Sequence, residues 1–264
     1  MITVKDIRDA LFELAPPDAK MDFDNVGLLA GDSRSQVKSI IVALDITSEV
    51  VEEAIAAGAN LIVSHHPLLF SEKSITDTTN IGSRILSLLT NGISAICMHT
   101  NLDAAKGGVN DALAKACGLS DVQLLCEEGR YTDGTPYSYG RIGTLDTAVP
   151  LRDYMATLKT SLKANGFRYH NSGKNVSKVA VVGGSGGSYL ETAFNAGCDT
   201  LVTGEAKYDV FLLARELGIT LIDADHFCTE NTVVPELVCF INERFPSVPC
   251  VQSTKHGQTA RFFV

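Results

Sequence analysis

The stretch SIIVALDITSEVVEEAIAAGANLIVS, residues 39–64, decides the fold of this chain. Its two ends, SIIVAL and NLIVS, are largely apolar and rich in β-branched side chains, which is typical of strands buried on both faces of a sheet. Between them, residues 47–57 have the pattern of a helix, and Gly58 provides a stop at its C-terminus. Strand, helix and strand in this order predict a βαβ unit with parallel strands.

The same alternation extends along the chain in both directions. Residues 4–14 have apolar side chains at helical spacing before Pro16-Pro17, and residues 94–98 (SAICM) predict a third strand. Further helices are predicted over 80–90, 109–117, 151–165 and 207–217 and from about residue 228, and further strands in SKVAVV (177–182), TLVTG (200–204) and TLIDA (220–224). The pattern predicts an α/β protein with mostly parallel sheets.

A change in composition indicates where the chain divides. Residues 126–147 are rich in Gly, Tyr, Thr and Pro and interrupt the alternation, so we place a boundary near residue 125. We therefore expect an N-terminal α/β domain over 1–125 and a second α/β domain over 126–264. A chain of 264 residues is long enough for two modest domains.

Composition and charge exclude several classes of function. The net charge of −9 disfavours non-specific binding to nucleic acids and to anionic membranes, which require Lys and Arg on the surface. The seven cysteines are odd in number and contain no CxxC pair, which predicts reduced thiols. The N-terminus lacks the pattern of a secretory signal peptide, and no apolar run approaches the ~20 residues of a membrane span, so we expect a cytoplasmic protein.

Two histidines follow the predicted strand NLIVS directly. In parallel α/β sheets, functional residues gather at the carboxyl ends of the strands. In Ser64-His65-His66-Pro67, Pro67 biases His66 toward an extended backbone, and the neighbouring imidazoles can diverge toward two different ions. The alternative is a pair of surface histidines in a loop.

A second motif, His99-Thr100-Asn101-Leu102-Asp103, follows the strand SAICM. Because neighbouring parallel strands end close together, Asp103 is expected to meet His65 and His66, and a carboxylate complements imidazoles in sites for Zn, Mn or Fe. His99 is either a further ligand or a residue that orients one. The alternative for Asp103 is a helix cap.

A third motif follows the strand TLIDA and contains His226 and Glu230. These residues are four apart and therefore share one helical face, where both side chains can serve one metal cluster. Asp225 precedes them as a candidate N-cap, and Cys228 lies between them as either a fortuitous ligand or a packing residue. Two further carboxylates, Asp24 and Asp45, also follow turns or end strands. Asp45 either orients a metal ligand through a hydrogen bond or caps the helix that begins near Thr47.

The glycine-rich turn after VAVV does not match the dinucleotide-binding fingerprint. In Gly183-Gly184-Ser185-Gly186-Gly187-Ser188-Tyr189, neither frame satisfies GxGxxG, because Ser185 or Tyr189 falls where glycine is required. Contact with a phosphate or another substrate group and a purely structural turn both remain open.

Several strings resemble one known family when taken together. They are DNVGLLAGD, ALDIT, VSHHPLLF, HTNLDAAKGGVND, VVGGSGGS, VTGEAKYD and DHFCTE, which occur in this order from about residue 20 onward. They resemble the GTP cyclohydrolase 1 type 2 homologues, or Nif-three-like proteins. The resemblance implies two divalent metal ions per subunit, bound by His65, His66, Asp103, His226 and Glu230. A set of imidazoles and carboxylates suits Zn, Mn, Fe, Co or Ni and does not name the metal. The resemblance also implies a metal site between the two α/β domains and a toroidal homohexamer.

The resemblance leaves the activity open. The first hypothesis is a metal-dependent hydrolase acting on GTP or on a phosphoester-like substrate, with His99 or Glu205 as the catalytic proton shuttle. The alternative is a non-enzymatic metal-binding or regulatory oligomer. A nucleotide-dependent oxidoreductase is the third hypothesis. In this family a glycine often precedes the late histidine, whereas here the residue is Asp225.

Overall fold

The structure, a computed structural model, describes residues 1–263 and has a mixed α/β fold. Its α-helices are α1 Val4–Leu14, α2 Ser48–Ala57, α3 Asn80–Thr90, α4 Thr100–Ala104, α5 Val109–Ala116, α6 Leu151–Ser161, α7 Leu190–Asn195, α8 Tyr208–Leu217, α9 His226–Glu230 and α10 Val233–Arg244. Its strands are β1 Gly27–Ala30, β2 Ile40–Ala43, β3 Leu61–Ser64, β4 Ser94–Cys97, β5 Ser120–Leu124, β6 Gly129–Arg130, β7 Pro136–Tyr137, β8 Arg141–Val149, β9 Arg168–His170, β10 Val176–Val182, β11 Thr200–Thr203, β12 Thr220–Asp223 and β13 Cys250–Gln252. Every helix among residues 1–263 is too short or too polar to cross a lipid bilayer.

The chain forms two compact units. The first comprises Met1–Ala105 and Val234–Gly257, and the second comprises Lys106–Val233 together with residues 258–263. This division differs from the predicted one, 1–125 and 126–264. The reason lies in long-range pairing, because β5 joins β8 in the second unit while β13 returns to pair with β2 in the first.

The first unit is built on a five-stranded sheet in the order β1-β4-β3-β2-β13. The pairings of β2, β3, β4 and β13 are parallel, and only β1 runs antiparallel to its neighbour β4. All side chains of β2, β3 and β4 are buried, as expected for strands covered on both faces. Since β2, β3 and β4 are neighbours, the residues that follow them emerge at one edge of the sheet.

The second unit is built on a six-stranded sheet in the order β5-β8-β10-β11-β12-β9. Its central strands β10, β11 and β12 are parallel, and antiparallel strands complete the sheet on either side. One apolar cluster packs α5 and α6 against this sheet through Leu113, Tyr154 and Leu158. A second cluster includes Leu190, Ala193 and Ala214 of α7 and α8.

The predicted α/β class and its alternating order are confirmed. The helices and strands expected in residues 4–117 and 151–224 occur within a few residues of the predicted positions. Four strands were not expected, namely β1, which lies within the turn-rich stretch before residue 32, β5, β9, and β13 near the C-terminus. The small sheet β6-β7 occupies the stretch predicted as loop and short strands.

Candidate metal centre

Three imidazoles lie together at the carboxyl edge of the first sheet. His65 and His66 follow β3, and His99 follows the neighbouring strand β4. The ring centroids are 4.9 Å apart for His65 and His66, 5.2 Å for His65 and His99, and 5.6 Å for His66 and His99. One ligand nitrogen of each ring lies within 4.8 Å of the other two, a spacing that one divalent ion can bridge.

His65 is fully buried and its ring is fixed by the neighbouring strand. Its Nδ1 lies 2.8 Å from the carbonyl oxygen of Met98, and its Nε2 lies 3.7 Å from Oδ1 of Asp103. A carbonyl oxygen can only accept a hydrogen bond, so Nδ1 carries a proton, and Nε2 is the nitrogen that faces Asp103. The expected meeting of Asp103 with His65 is therefore present in the first unit.

His66 is held by a carboxylate that follows the strand β2. Its Nδ1 lies 2.8 Å from Oδ1 of Asp45. Asp45 does not cap α2, because Thr47 is the N-cap and its side chain accepts from the backbone N–H of Val50. Burial alone would raise the pKa of the Asp45 carboxyl, but hydrogen bonds from His256 and His66 hold this pKa well below its usual range. Asp45 is thus a charged acceptor that orients His66.

His99 is held in the same manner by Asp24. Its Nδ1 lies 2.7 Å from Oδ1 of Asp24, while the other carboxylate oxygen accepts from the backbone N–H and the hydroxyl of Thr100. Asp24 therefore caps the start of α4 from a distant part of the chain. Burial would raise the pKa of Asp24, but the bonds from His99 and Thr100 lower it well below its usual range. Asp103 itself lies inside α4 and is not its cap.

The three histidines share a pattern that suits metal binding. Each Nδ1 is engaged by a backbone carbonyl or a carboxylate, so Nε2 is the nitrogen of each ring that would ligate an ion. Outer partners of this kind fix the tautomer and the ring orientation of metal-ligating histidines. With Asp103 beside them, the imidazoles form an N/O donor set that fits Zn, Mn, Fe, Co or Ni.

The second unit presents a histidine and a carboxylate on one helical face. His226 and Glu230 lie one turn apart in α9, with Nε2 of His226 3.0 Å from Oε2 of Glu230. The Nδ1 of His226 lies 3.0 Å from Oε1 of Glu205, so this imidazole also has a carboxylate on its outer side. The side chain of Glu230 is 5% exposed and that of Glu205 is 57% exposed. Glu230 is therefore a buried candidate ligand, whereas Glu205 is a surface residue that orients His226.

The start of α9 is strained. Asp225 is the N-cap, and its side chain accepts from the backbone N–H of Cys228 at 3.2 Å, as the sequence predicts. Its backbone has φ 72° and ψ 137°, a region that favours glycine because a Cβ is crowded there. The family resemblance leads one to expect glycine at this position, so the departure in sequence coincides with a strained backbone immediately before His226.

The glycine-rich turn packs against the His226/Glu230 pair. The backbone N–H groups of Gly183, Gly184 and Gly186 donate to the side-chain oxygens of Asn110, Thr229 and Thr203, respectively. These three donors are therefore engaged within the protein, which supports the structural interpretation over a phosphate cradle.

A Cβ at Gly184 would lie 2.1 Å from Oε1 of Glu230, and this glycine has φ +59°. A Cβ at Gly204 would lie 2.8 Å from the carbonyl oxygen of Gly184. The glycines thus allow the ends of β10 and β11 to approach α9 closely.

Cys228 belongs to the core. It is 2% exposed and packs in the apolar cluster of the second unit. Burial, with a further contribution from Asp225, raises the pKa of its thiol to about 12. A protonated, packed thiol is a poor metal ligand, so Cys228 acts as a packing residue.

The structure thus places the predicted site residues in two sets. His65, His66, His99 and Asp103 lie together in the first unit, and His226, Glu230 and Glu205 lie together in the second. The convergence of both sets on one dinuclear cluster stays a prediction. Sequence reasoning missed His256, whose Nε2 lies 2.7 Å from Oδ2 of Asp45. No local pattern identifies it, because it approaches Asp45 through a strand pairing that spans about two hundred residues.

Comparison of the sequence with known protein families identifies the family of this chain. Residues 2–257 match the family described as Duf34/NIF3 (NGG1p interacting factor 3). The chain belongs to the Duf34/NIF3 family. The resemblance seen in SHHP, HTNLD and the late DHFCTE is therefore confirmed at the level of the whole chain.

Relatives and solved structures agree with this Duf34/NIF3 membership. The chain is 36% identical over 231 residues to a protein of Clostridium acetobutylicum named GTP cyclohydrolase 1 type 2 homolog, covering 87% of this chain and 85% of the relative. It is 34% identical to a protein of the same name from Clostridium perfringens, covering 92% and 93%. The structure of a Bacillus cereus protein related to NIF3 superposes with a TM-score of 0.93 at 25% identity, covering 100% and 99% of the two chains.

Proposed function

We propose that this Duf34/NIF3 protein is a metal-dependent hydrolase with a dinuclear centre. The observation that carries the proposal is the cluster of His65, His66 and His99, in which every Nδ1 is anchored and one ligand nitrogen of each ring lies within 4.8 Å of the other two. The proposed ligands are His65, His66, Asp103, His226 and Glu230. When bound, two divalent ions would supply Lewis acidity and would lower the pKa of an attacking water toward neutrality.

The side chains of this protein take distinct roles in the proposed reaction. Asp103 and Glu230 compensate the charge of the ions, and both are largely buried in their units. His99 or Glu205 moves a proton, since each carries a titratable group and adjoins a proposed ligand. Asp24 and Asp45 hold the rings of His99 and His66 so that no reorientation is needed during turnover.

We propose GTP or a phosphoester-like molecule as the substrate. The support is the name shared by relatives that are 34–36% identical, GTP cyclohydrolase 1 type 2 homolog. The Gly183–Gly187 turn is not assigned to the substrate phosphate, because three of its backbone donors are already engaged.

The test is turnover by metal-loaded protein. Protein stripped of metal and reloaded with Zn²⁺, Mn²⁺ or Fe²⁺ is incubated with GTP and with a panel of phosphoesters, and the products are separated by chromatography. We expect turnover by the wild type and a loss of at least about 100-fold in His66→Ala, because a ligand is removed. His170→Ala, which alters a histidine of β9 in the second unit, is the matched control. Activity that survives in folded His66→Ala would contradict the proposal.

A second candidate function is a non-enzymatic metal-binding or regulatory oligomer. It is favoured by one observation, namely that both proposed proton carriers are already engaged in orienting bonds, His99 with Asp24 and Glu205 with His226. We propose a homohexamer in either case, with a mass about six times the 28.2 kDa of the chain. Light scattering before and after chelation separates the two candidates. Loss of the hexamer on metal removal, with no substrate consumed by the loaded protein, would favour the second.

A further inference from the structure

The chain beyond β13 returns to the metal-binding edge of the first unit. We define the C-terminal strap as Ser253–His256. Strand β13 runs parallel to β2, with Cys250 opposite Ile40 and Gln252 opposite Val42. Asp45 lies three residues beyond Val42, and His256 lies four residues beyond Gln252. The register of this pairing therefore carries both side chains off the same edge of the sheet, side by side.

Hydrogen bonds to β2 and α2 hold the C-terminal strap in place. The backbone N–H of Ser253 donates to the carbonyl oxygen of Val42 at 2.8 Å, which continues the ladder beyond β13. Glu53 of α2 then accepts from the Ser253 hydroxyl, from the backbone N–H of Thr254 at 2.9 Å and from its hydroxyl at 2.7 Å. Three bonds to one carboxylate fix the path of the chain just before His256.

His256 and His66 share the carboxylate of Asp45. Nε2 of His256 lies 2.7 Å from Oδ2, and Nδ1 of His66 lies 2.8 Å from Oδ1. Because an ionised carboxylate only accepts, each imidazole presents an N–H to it. The side chain of Asp45 is 39% exposed, whereas that of His256 is 13% exposed. Without His256, Oδ2 would turn to water and the carboxylate plane would lose its second anchor.

We propose that His256 is a positioning residue of the metal centre. It fixes the plane of the Asp45 carboxylate, and Asp45 in turn keeps the proton of His66 on Nδ1, so that Nε2 would carry the lone pair that holds an ion. The inference rests on the proposed metal binding and requires no hydrolytic activity. It assigns a role to a histidine outside the SHHP, HTNLD and DHFCTE motifs, and to a segment of chain more than two hundred residues beyond Asp45.

The test is the affinity for Co²⁺, measured from its visible absorption in competition with a chelator. We compare the wild type with His256→Ala, His256→Gln and the control His170→Ala, and verify folding by circular dichroism. We expect His256→Ala to bind Co²⁺ about 10-fold more weakly, as is typical when an outer partner of a ligand is lost. His256→Gln retains an N–H donor and should return to within about 3-fold of the wild type.

A second readout separates this inference from the proposed function. Nitrogen-15 NMR of the metal-free protein reports the tautomer of His66, which should be protonated at Nδ1 in the wild type and in His256→Gln and mixed in His256→Ala. Wild-type affinity together with an unchanged tautomer in His256→Ala would overturn the inference. If the wild type binds no Co²⁺ but the tautomer changes as expected, metal binding fails while the positioning role stands.

Discussion

At the scale of single residues, the candidate centre is organised by acceptors on the outer side of each imidazole. Met98, Asp45, Asp24 and Glu205 engage the Nδ1 atoms of four different histidines. One of these acceptors is a backbone carbonyl and three are carboxylates, so the arrangement does not depend on one kind of contact. In the rings of His65 and His226 the other nitrogen, Nε2, faces the carboxylates of Asp103 and Glu230.

Asp225 provides a test of strain beside the second set of ligands. Its φ of 72° disfavours any residue with a Cβ, at a cost on the order of 1–3 kcal/mol. Glycine relieves this strain and costs only a few tenths of a kcal/mol as an N-cap. We expect Asp225→Gly to raise the free energy of unfolding by about 1 kcal/mol in urea titrations. Asp225→Ala keeps the strain and loses the cap, so it should be less stable than the wild type; the reverse order would refute this explanation.

Gly184 provides a test of the role of the glycine-rich turn. Alanine there places a Cβ 2.1 Å from Oε1 of Glu230 and 3.2 Å from Cε1 of His226, whereas alanine at Gly218 meets nothing within 4 Å. Both glycines have positive φ, +59° and +65°, so both variants should lose about 1 kcal/mol of stability. Only Gly184→Ala should also weaken the binding of Co²⁺, measured by titration. Equal metal affinity in the two variants would show that the turn does not serve the ligands.

At the scale of secondary structure, the strands and their ends were predictable because their signals are local. The runs IIVA, LIVS and SAIC are continuous and apolar, and each is fully buried in the structure. Since function gathers at the carboxyl ends of such strands, the motifs that follow them could be grouped from sequence alone. The grouping of His65, His66, His99 and Asp103 follows from strand order.

The parts that could not be predicted depend on distant pairings. Strand β1 has four residues, begins at a glycine with φ +99°, and is defined by its antiparallel pairing with β4. Strand β13 has three residues, two of them exposed, and therefore shows no burial pattern. The contact of His256 with Asp45 depends on the register of β13, so no property of the sequence around residue 256 indicates it.

Glu53 provides a test of how the strap is held. Burial would raise the pKa of Glu53, but bonds from Ser253 and Thr254 lower it below its ordinary value. A folded-state pKa below the unfolded value stabilises the protein above the unfolded pKa, and this stability is lost as the pH falls through the folded pKa. We expect Glu53→Gln to cost about 1 kcal/mol at pH 7, with the difference from the wild type shrinking below about pH 4. A difference independent of pH, measured by urea unfolding, would contradict this role.

At the scale of the whole molecule, net charge and fold restrict which substrates and partners the proposed metal centre can have. The net charge of −9 disfavours a nucleic-acid partner, and the anionic substrate proposed above would have to be attracted locally by bound ions. The chain belongs to the Duf34/NIF3 family and forms two α/β units. This architecture is consistent with metal ligands that follow the ends of the strands. The proposed ligands are drawn from both units, so the number of ions bound would test both sets of residues.

Elemental analysis of the purified, metal-loaded protein after dialysis tests the proposed dinuclear centre most directly. We predict two divalent ions per chain in the wild type and in His170→Ala. We predict one ion or fewer in His66→Ala and likewise in His226→Ala, one variant from each unit. Less than one ion per chain in the folded wild type, or two ions retained in both ligand variants, would contradict the centre proposed here.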